Sequence, residues 1–376
     1  MSARVAVIRC DTYDTPAVAD AVTRGLELIG GAGAFARPGE RIVLKPNLLV
    51  SSSAAEAVTT HPAVFSAVAR ALASTGASLT WGDSPAIGTS LSVGKRAGIA
   101  DVAAELGIKA ADFSASRTVS YPDGRLMKQF TVAEAVLDAD ALISLPKLKT
   151  HALMRMTGAV KNQFGCVPGM LKGEFHARMP DVALFGQMLV DLNRLLRPRL
   201  FVMDAIVAME GNGPRGGDPR NVGVLLFSDD PVAIDAVGCR IMSLDPALVD
   251  TLVYGERWGL GGATDIELAG DELPVFEDYR VNRNPLSTTG GGLGNPLAKR
   301  LLTPRPSITV ERCTRCGTCV RACPVEPKAV DWPGGDRGVP PVYDYAACIR
   351  CYCCQEMCPE RAIAVKTPLL GRLIRR

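Results

Sequence analysis

The chain lacks several features that mark familiar classes of protein. It contains no run of about eighteen apolar residues, so we expect no membrane span. Its net charge of +3 is too small to indicate a protein that binds nucleic acid. The residues after Met1 do not show the basic and then apolar pattern of a signal peptide. We therefore expect a cytoplasmic protein whose cysteines stay reduced.

Motifs that bind nucleotides are missing as well. The chain has no Gly-x4-Gly-Lys-Ser/Thr loop, and no Gly-x-Gly-x-x-Gly motif follows the first predicted strand. Both absences count against the common phosphate-binding and nicotinamide-binding folds. Histidine is scarce, and the spacing of His61, His151 and His176 does not support a metal site built from all three.

Cysteine, in contrast, is abundant and regularly spaced. Eight of the twelve cysteines form two copies of the pattern Cys-x2-Cys-x2-Cys-x3-Cys-Pro. This spacing is typical of 4Fe–4S sites in which the fourth cysteine of each run ligates the other cluster. We expect the ligands of cluster I to be Cys313, Cys316, Cys319 and Cys358. We expect the ligands of cluster II to be Cys348, Cys351, Cys354 and Cys323.

The alternatives to this interpretation fit less well. Zinc sites use paired Cys-x2-Cys knuckles separated by a longer loop, and a secreted disulfide framework would need a signal peptide. Cys353 lies between two predicted ligands, and we favour a spare thiol there over a competing ligand. Cys166 is either a redox-active thiol or, as we favour, a small core residue. Residues 306–366 resemble the bacterial two-cluster ferredoxin domain, which implies two low-potential clusters in a small α+β domain.

The rest of the chain alternates strand-like and helical patterns. The predicted strands are 5–9, 41–44, 78–81, 141–144, 199–203 and 222–227. The predicted helices are 15–30, 62–75, 98–106, 132–138, 181–196 and 231–242. This alternation predicts an α/β domain over 1–282, with a mostly parallel sheet flanked by helices. The composition of 283–305 predicts a linker, and 367–376 form a basic tail.

Ionisable residues follow nearly every predicted strand, where open α/β sheets bind their ligands. The candidate cations are Lys45, Lys147, Lys149, His151 and Lys161. The candidate anions are Asp83, Asp204, Glu210 and Asp235. Each of them could also cap a helix or stay solvated. As a group they predict a basic pocket for a carboxylate or phosphate, with acids that orient the lysines, hold a divalent cation or move protons.

Several motifs in this region resemble one family as a set. They are Lys45-Pro-Asn47, Pro146-Lys-Leu-Lys-Thr-His151, Gly158-Ala-Val-Lys-Asn-x-Phe-Gly165 and the Asp204–Pro214 segment. These are similar to the signatures of domain of unknown function 362, many members of which carry a two-cluster ferredoxin domain. The resemblance implies the fold and the place of the site more than the reaction. Within these motifs, Asn47, Lys161, Asn162 and Asn212 are expected to bind a substrate or cofactor.

Our leading hypothesis from the sequence is a cytoplasmic iron–sulfur oxidoreductase. A donor protein would reduce two 4Fe–4S clusters, and the electrons would reach a small anionic substrate or bound cofactor. Lys147 and Lys149 would hold the anion, and His151 or Lys45 would supply a proton. A flavin would suit this chemistry, but no motif establishes one. The alternatives are an electron-transfer subunit that docks to a partner enzyme through the α/β domain, and a sensor of oxygen or iron.

Overall fold

The structure is a computed structural model that describes residues 2–169, 171–285, 301–368 and 370–371. The strands of its larger part are β1 (Ala3–Arg9), β2 (Arg41–Pro46), β3 (Ser78–Trp81), β4 (Lys109–Ala110), β5 (Ser116–Ser120), β6 (Gln129–Ala133), β7 (Ala141–Leu145), β8 (Lys147–His151), β9 (Arg155–Thr157), β10 (Leu200–Glu210), β11 (Asp218–Ser228) and β12 (Ile266–Gly270). Within these ranges, ten strands form one sheet, and β5 and β6 form a separate hairpin.

The sheet is mostly parallel, as the sequence predicts. Its order is β12-β1-β11-β10-β7-β2-β3-β4, and β8 joins it beside β10 with β9 attached. Only β11 and β9 run antiparallel to their neighbours in the described part of the sheet. This arrangement confirms the predicted α/β class.

Helices cover both faces of the sheet. They are α1 (Thr15–Leu28), α2 (Ala32–Phe35), α3 (Pro62–Ala73), α4 (Ser90–Ala97), α5 (Ile99–Glu105), α6 (Glu134–Leu137), α7 (Ala159–Asn162), α8 (Leu171–Arg178), α9 (Val182–Leu196), α10 (Pro231–Ile241) and α11 (Asp250–Arg257). Alternate residues of a strand point to opposite faces, and β1 shows this directly. Ala6 and Ile8 pack with α1 and α3, whereas Val5 and Val7 pack in the core with α9 and α10.

Two predicted helices differ from the observed elements. The helix expected over 98–106 is α5, and a second helix, α4, precedes it. Gly98 separates the two because its φ of 80° interrupts the helical backbone. The helix expected over 132–138 contains only α6, because Gln129–Ala133 pairs with β5 across the hairpin.

The predicted strand around 199–203 is also too short. The observed β10 continues through Asp204 to Glu210 because β11 pairs with it along most of its length. The segment predicted to leave the sheet after Leu145 instead forms β8, in which Lys147 lies opposite Asp204. Acidic residues are uncommon within strands, so the sequence pattern did not reveal this extension.

A small α+β part follows in the C-terminal region. Here β13 (Arg305–Ile308) pairs antiparallel with β16 (Ile363–Lys366), and β14 (Val330–Asp331) pairs with β15 (Val342–Tyr343). Two short helices, α12 (Thr318–Arg321) and α13 (Cys353–Met357), lie between them in sequence. Most of the predicted linker 283–305 and of the basic tail 367–376 lies outside the described residues, so the domain boundaries stay predictions. None of the helices in the described ranges has the length and apolarity that a membrane crossing requires.

Candidate functional site

The eight patterned cysteines surround two separate cavities. One cavity is lined by Cys313, Cys316, Cys319 and Cys358. The other is lined by Cys323, Cys348, Cys351 and Cys354. The fourth cysteine of each run thus joins the other set, which is the grouping expected of a two-cluster site. None of the twelve cysteines forms a disulfide.

The two cysteine loops share one backbone conformation. The second and fourth residues after the first cysteine of each run have positive φ. These residues are Arg315 and Gly317 in the first loop and Arg350 and Tyr352 in the second, with φ between 59° and 71°. Left-handed residues are uncommon outside glycine, so their repetition indicates that both loops wrap a similar object.

Hydrogen-bond donors point at the sulfur atoms in both loops. The backbone N–H groups of Ala329 and Ala362 each donate to a sulfur at 3.3 Å, that of Cys323 and that of Cys358 respectively. The hydroxyl of Tyr343 donates to Cys354 Sγ at 3.3 Å. Such donors stabilise thiolates and tune cluster potentials. The residues therefore fit two 4Fe–4S clusters, and their role as ligands stays a prediction.

In the larger part, Lys45 and Asp83 form a buried ion pair. Lys45 Nζ lies 2.8 Å from Asp83 Oδ1, and both residues are at most 2% exposed. Asn162 Oδ1 accepts from Lys45 Nζ at 3.1 Å and from Asn47 Nδ2 at 3.3 Å. The backbone N–H of Leu48 donates to the other oxygen of Asp83 at 2.8 Å. Because β2 and β3 are adjacent and parallel, their ends bring Lys45 and Asp83 together.

Gly165 makes room for this pair. A Cβ atom at this position would overlap Asp83 Oδ1 and would lie 2.6 Å from Lys45 Nζ. The carbonyl of Gly165 also accepts from the backbone N–H of Ser84 at 2.9 Å. The glycine therefore permits the segment after α7 to lie directly on the ion pair.

Three further lysines line a cavity beside the ion pair. Lys149, Lys161 and Lys172 surround a volume of about 50 Å³, together with Asn47 and Asp83. Lys149 Nζ donates to Asn47 Oδ1 at 2.6 Å and to the carbonyl of Val58 at 2.7 Å. Lys161 Nζ lies 5.9 Å from the centre of the Phe164 ring. We name this volume the cationic cavity.

The cationic cavity carries more positive than negative charge. Asp83 is already paired with Lys45, and none of the three cavity lysines has a carboxylate within 4.0 Å among the described residues. Burial lowers the pKa of Lys149, Lys161 and Lys172, the last to about 8. Buried cations without a carboxylate partner cost free energy, which an anion bound in the cavity would recover.

Lys147 belongs to a different and closed network. Its Nζ lies 2.8 Å from Asp204 Oδ2 and donates to the hydroxyl of Tyr13 at 2.9 Å. That hydroxyl donates to Asp204 Oδ1 at 2.8 Å, and the backbone N–H of His61 donates to Oδ2 at 2.9 Å. The ring of Tyr13 stacks on His61, with the ring centres 3.6 Å apart. The ammonium group of Lys147 is therefore held by an ion pair and hydrogen bond to protein groups, and Lys147 does not line the cationic cavity.

The structure does not bring two of the other predicted residues to the cationic cavity. Glu210 pairs with Arg280, whose Nε lies 2.9 Å from Glu210 Oε1. Asn212 contacts the C-terminal part, where its Nδ2 donates to the carbonyl of Ile363 at 3.0 Å.

Two more candidates from the sequence have structural roles. Asp235 accepts from the backbone N–H groups of Ala159 and Val160 at the start of α7, and burial raises its pKa to about 7. Cys166 is fully buried, and burial raises the pKa of its thiol to about 12, which suits a core residue. Among the described residues, no three His, Cys, Asp or Glu side chains are placed to hold a single metal ion.

The C-terminal part contacts the α/β part through α13, although neither Glu356 nor His151 lines the cationic cavity. Glu356 is buried, and its Oε1 lies 3.2 Å from His151 Nε2. His151 Nδ1 accepts from the backbone N–H groups of Leu153 and Met154 at 3.1 and 3.3 Å, so the neutral ring carries its hydrogen on Nε2. Burial lowers the pKa of His151 well below its usual range, with Lys161 as a second cause.

Glu356 also acts on two of the cavity lysines. Burial raises the pKa of Glu356, and the positive charges of Lys161 and Lys149 oppose that rise. Cys353, in the first turn of α13, is a hydrogen-bond partner of Cys351, and it raises the pKa of Lys161 through its charge. The spare thiol thus acts on a predicted cluster II ligand and on a lysine of the cationic cavity.

Three residues at these sites escaped the sequence analysis. Lys172 lies on α8 and does not follow a strand, whereas Glu356 lies inside a cysteine run that already had an interpretation. Tyr13 precedes a helix and has no motif of its own. Each reaches its site through contacts with residues at least 88 positions away in sequence.

The chain resembles several known proteins. It is 39% identical over 257 residues to the thylakoid-associated protein sll1697 of Synechocystis sp., an alignment that spans 68% of this chain and 79% of that protein. Among solved structures, the lactate racemase apoprotein of Thermoanaerobacterium thermosaccharolyticum shows 12% identity and a TM-score of 0.42 over 64% of this chain and 57% of that one. A Thermotoga maritima protein shows 12% identity and a TM-score of 0.34 over 58% of this chain and 56% of that one. The chain thus spans less than two thirds of either solved structure.

Two family models match the chain in the order that the sequence motifs predict. The model of a 4Fe-4S dicluster domain matches residues 305–359, which contain both cysteine runs complete and end at Pro359. The model described as domain of unknown function (DUF362) matches residues 42–240, which contain the cationic cavity. The chain therefore belongs to the DUF362 family and carries a ferredoxin-type 4Fe–4S domain behind the family domain.

Proposed function

We propose that the protein is an iron–sulfur oxidoreductase that reduces a small anionic substrate in the cationic cavity. The observation that supports this most directly is the contact between α13 and the α/β part. This helix contains Cys354, a predicted ligand of cluster II, and it places Glu356 against His151. A part of the chain suited to electron transfer and a cavity suited to an anion therefore share one interface.

The cavity lysines have distinct tasks in this proposal. Lys149 is oriented by Asn47 and Val58, whereas Lys161 and Lys172 provide unpaired positive charge for the anion. Lys147 is paired with Asp204, so we assign the binding of the anion to Lys161 and Lys172 in its place. Lys172 Nζ can also give up a proton near neutral pH, because its pKa is about 8.

His151 and Lys45 are less suited to supply that proton. His151 Nε2 lies against Glu356 rather than in the cationic cavity, and Lys45 is held by Asp83 and Asn162. We assign both to positioning. The 4Fe–4S clusters, when bound, supply electrons one at a time, and two of them suit a two-electron reduction.

The donor of these electrons would approach the other side of the C-terminal part. Cys316, a predicted ligand of cluster I, is exposed, and Arg312, Arg315 and Arg321 are exposed around it. Opposite charges steer redox partners together. We therefore propose that the electron donor is an acidic protein. This would be the donor protein that the sequence analysis expects.

The test begins with anaerobic purification and analysis of iron and sulfide, for which we expect about eight of each per chain. The reduced protein is then mixed with small organic anions, and reoxidation is followed optically. We expect reoxidation by a subset of them, and a large loss of that rate in Lys161→Met with unchanged iron content. Far less iron than expected, or a Lys161→Met protein that reoxidises at the normal rate, would contradict the proposal.

The cytoplasmic location predicted from the sequence also remains a proposal. The relative from Synechocystis sp. is described as thylakoid-associated. Fractionation of cells that produce the tagged full chain would test it.

A further inference from the structure

We propose that an open cleft beside the cationic cavity binds the uncharged body of the substrate, while its carboxylate head enters the cavity. This inference rests on the proposed function and narrows the substrate to organic monocarboxylates with an apolar or hydroxyl-bearing chain. The cleft lies at the ends of β3 and β4, with α4 at its rim. We name it the outer cleft.

The outer cleft has the size of a ligand site. Its volume is about 530 Å³, whereas sites for small molecules typically span roughly 300–1,000 Å³. The cationic cavity, at about 50 Å³, has room for a group of a few heavy atoms, such as a carboxylate. The two volumes therefore suit the two ends of one molecule.

The two volumes share part of their walls. Asp83, Ser84 and Ala86 line both of them. Ser84 is held from both directions: its Oγ accepts from the backbone N–H of Gly169 at 2.9 Å, and its carbonyl accepts from Lys172 Nζ. The ammonium group of Lys172 therefore stands where a carboxylate would pass from the outer cleft into the cationic cavity.

The lining of the outer cleft suits an uncharged chain. Phe113 and Leu91 offer apolar surface, and Thr89 and Ser114 offer hydroxyl groups. No lysine or arginine occurs among the described residues that line it. Of its acids, Asp83 is paired with Lys45, and Asp112 accepts from the N–H and hydroxyl of Ser114 at 2.7 and 2.5 Å. A second anionic group on the ligand would find no partner here.

Close contacts between protein residues hold the walls of the outer cleft in place without a ligand. Ser90 Oγ accepts from the backbone N–H of Asp83 at 3.2 Å and donates to its carbonyl at 2.6 Å. Gly82 leaves room for the ring of Phe113, because a Cβ atom there would overlap that ring. A preformed site binds its ligand more tightly than a flexible one, because fewer protein groups must be ordered on binding.

The test measures the affinity of the iron-loaded, oxidised full chain for linear carboxylates from acetate to decanoate, by titration calorimetry. If the chain lies in the outer cleft, affinity should rise by about fourfold per methylene over part of the series. Leu91→Glu should lower the affinity for decanoate at least tenfold and leave that for acetate unchanged. The matched control is Val253→Glu on α11, because Val253 is 41% exposed and Leu91 is 48% exposed.

A second variant tests the inference if Leu91→Glu does not fold. Ser114 is exposed, so Ser114→Trp should fold and should shorten the chain length at which affinity stops rising. Affinity that does not depend on chain length, no binding of any carboxylate, or no effect of either variant would overturn the inference. Because this assay needs no electron transfer, chain-length dependence without any reduction of bound carboxylates would refute the proposed function alone.

Discussion

Glu356 Oε1 lies 3.2 Å from His151 Nε2, and both side chains are buried where the two parts of the chain meet. Glu356 lies two residues after Cys354, and His151 lies two residues after Lys149. This single contact therefore joins a predicted cluster ligand and a cavity lysine through two short stretches of backbone. The two parts of the chain meet at their candidate sites, and not at unrelated surfaces.

The first prediction concerns the stability of this contact. Glu356→Ala should lower the free energy of unfolding by about 1–3 kcal/mol, because it leaves the buried His151 Nε2 without the carboxylate oxygen that lies 3.2 Å from it. Glu356→Gln should cost clearly less, because its amide oxygen can occupy the same place beside Nε2. Denaturant unfolding of both anaerobic proteins measures the difference. An alanine variant as stable as the glutamine variant would show that the contact does not matter.

The second prediction concerns Gly165. Gly165→Ala should break the Lys45–Asp83 pair, because the new Cβ atom would overlap Asp83 Oδ1. Breaking a buried ion pair costs about 3–5 kcal/mol, so we expect a large drop in the unfolding midpoint and a loss of anion binding. Gly33→Ala is the control, since a Cβ atom at that position meets nothing within 4 Å. Equal midpoints for the two variants would argue against the role of Gly165.

Part of this site could be predicted from the sequence. The carboxyl ends of parallel strands meet at one edge of a sheet, so Lys45, Asp83 and Lys149 could be grouped from their positions after predicted strands. Cysteine spacing alone divided the eight predicted ligands into the two sets that line the two cavities, because a short loop around a cluster leaves a strict local pattern.

The remainder depends on contacts between distant segments. Lys172 reaches the cationic cavity from α8, and Glu356 reaches His151 from the C-terminal part, where its charge acts on Lys149 and Lys161. Neither Lys172 nor Glu356 is marked by a periodic pattern or a local motif in the sequence. The long strand β10 was missed for a related reason, because pairing with β11 and β8 stabilises an extended backbone at Asp204 that its own sequence does not favour.

The third prediction concerns pH. Burial lowers the pKa of Lys172 to about 8, so the side chain is a cation below that pH and neutral above it. Affinity of the cationic cavity for acetate should therefore fall as pH rises through about 8. Lys172→Arg should keep its affinity above pH 8, because arginine stays charged, and Lys172→Met should bind weakly at every pH. An identical pH profile in all three proteins would exclude Lys172 from the site.

The same shift predicts a change in stability. The folded chain releases the proton of Lys172 near pH 8, whereas the unfolded chain keeps it up to about its ordinary pKa of 10.5. The contribution of this residue to the free energy of unfolding should therefore rise with pH between these values. The pH dependence of unfolding, compared between wild type and Lys172→Met, measures that contribution.

The fourth prediction separates the Tyr13 network from the cationic cavity. Tyr13→Phe removes a hydroxyl that donates to Asp204 and accepts from Lys147 Nζ and from the backbone N–H of Val207. We expect a loss of about 1–3 kcal/mol in unfolding free energy and an unchanged affinity for acetate. A weakened affinity in a well-folded variant would instead place Lys147 in the binding site.

The fifth prediction concerns the electron donor. Reversing charge at Arg312, Arg315 and Arg321 should slow reduction of the protein by an acidic ferredoxin, most strongly at low salt. Arg70→Glu is the control, because Arg70 is exposed on α3 in the α/β part. Stopped-flow absorbance measures both rates. An equal rate for the triple variant and the control would place the donor elsewhere.

The most direct test of the central claim is a redox titration of the anaerobic protein, followed by electron paramagnetic resonance, with and without a saturating carboxylate. The account predicts two clusters per chain, only one of which changes its potential or spectrum when the anion binds. That change should vanish in Lys161→Met. If neither cluster changes its potential or its spectrum when the anion binds, the claim that electron transfer and anion binding meet at Glu356 is contradicted.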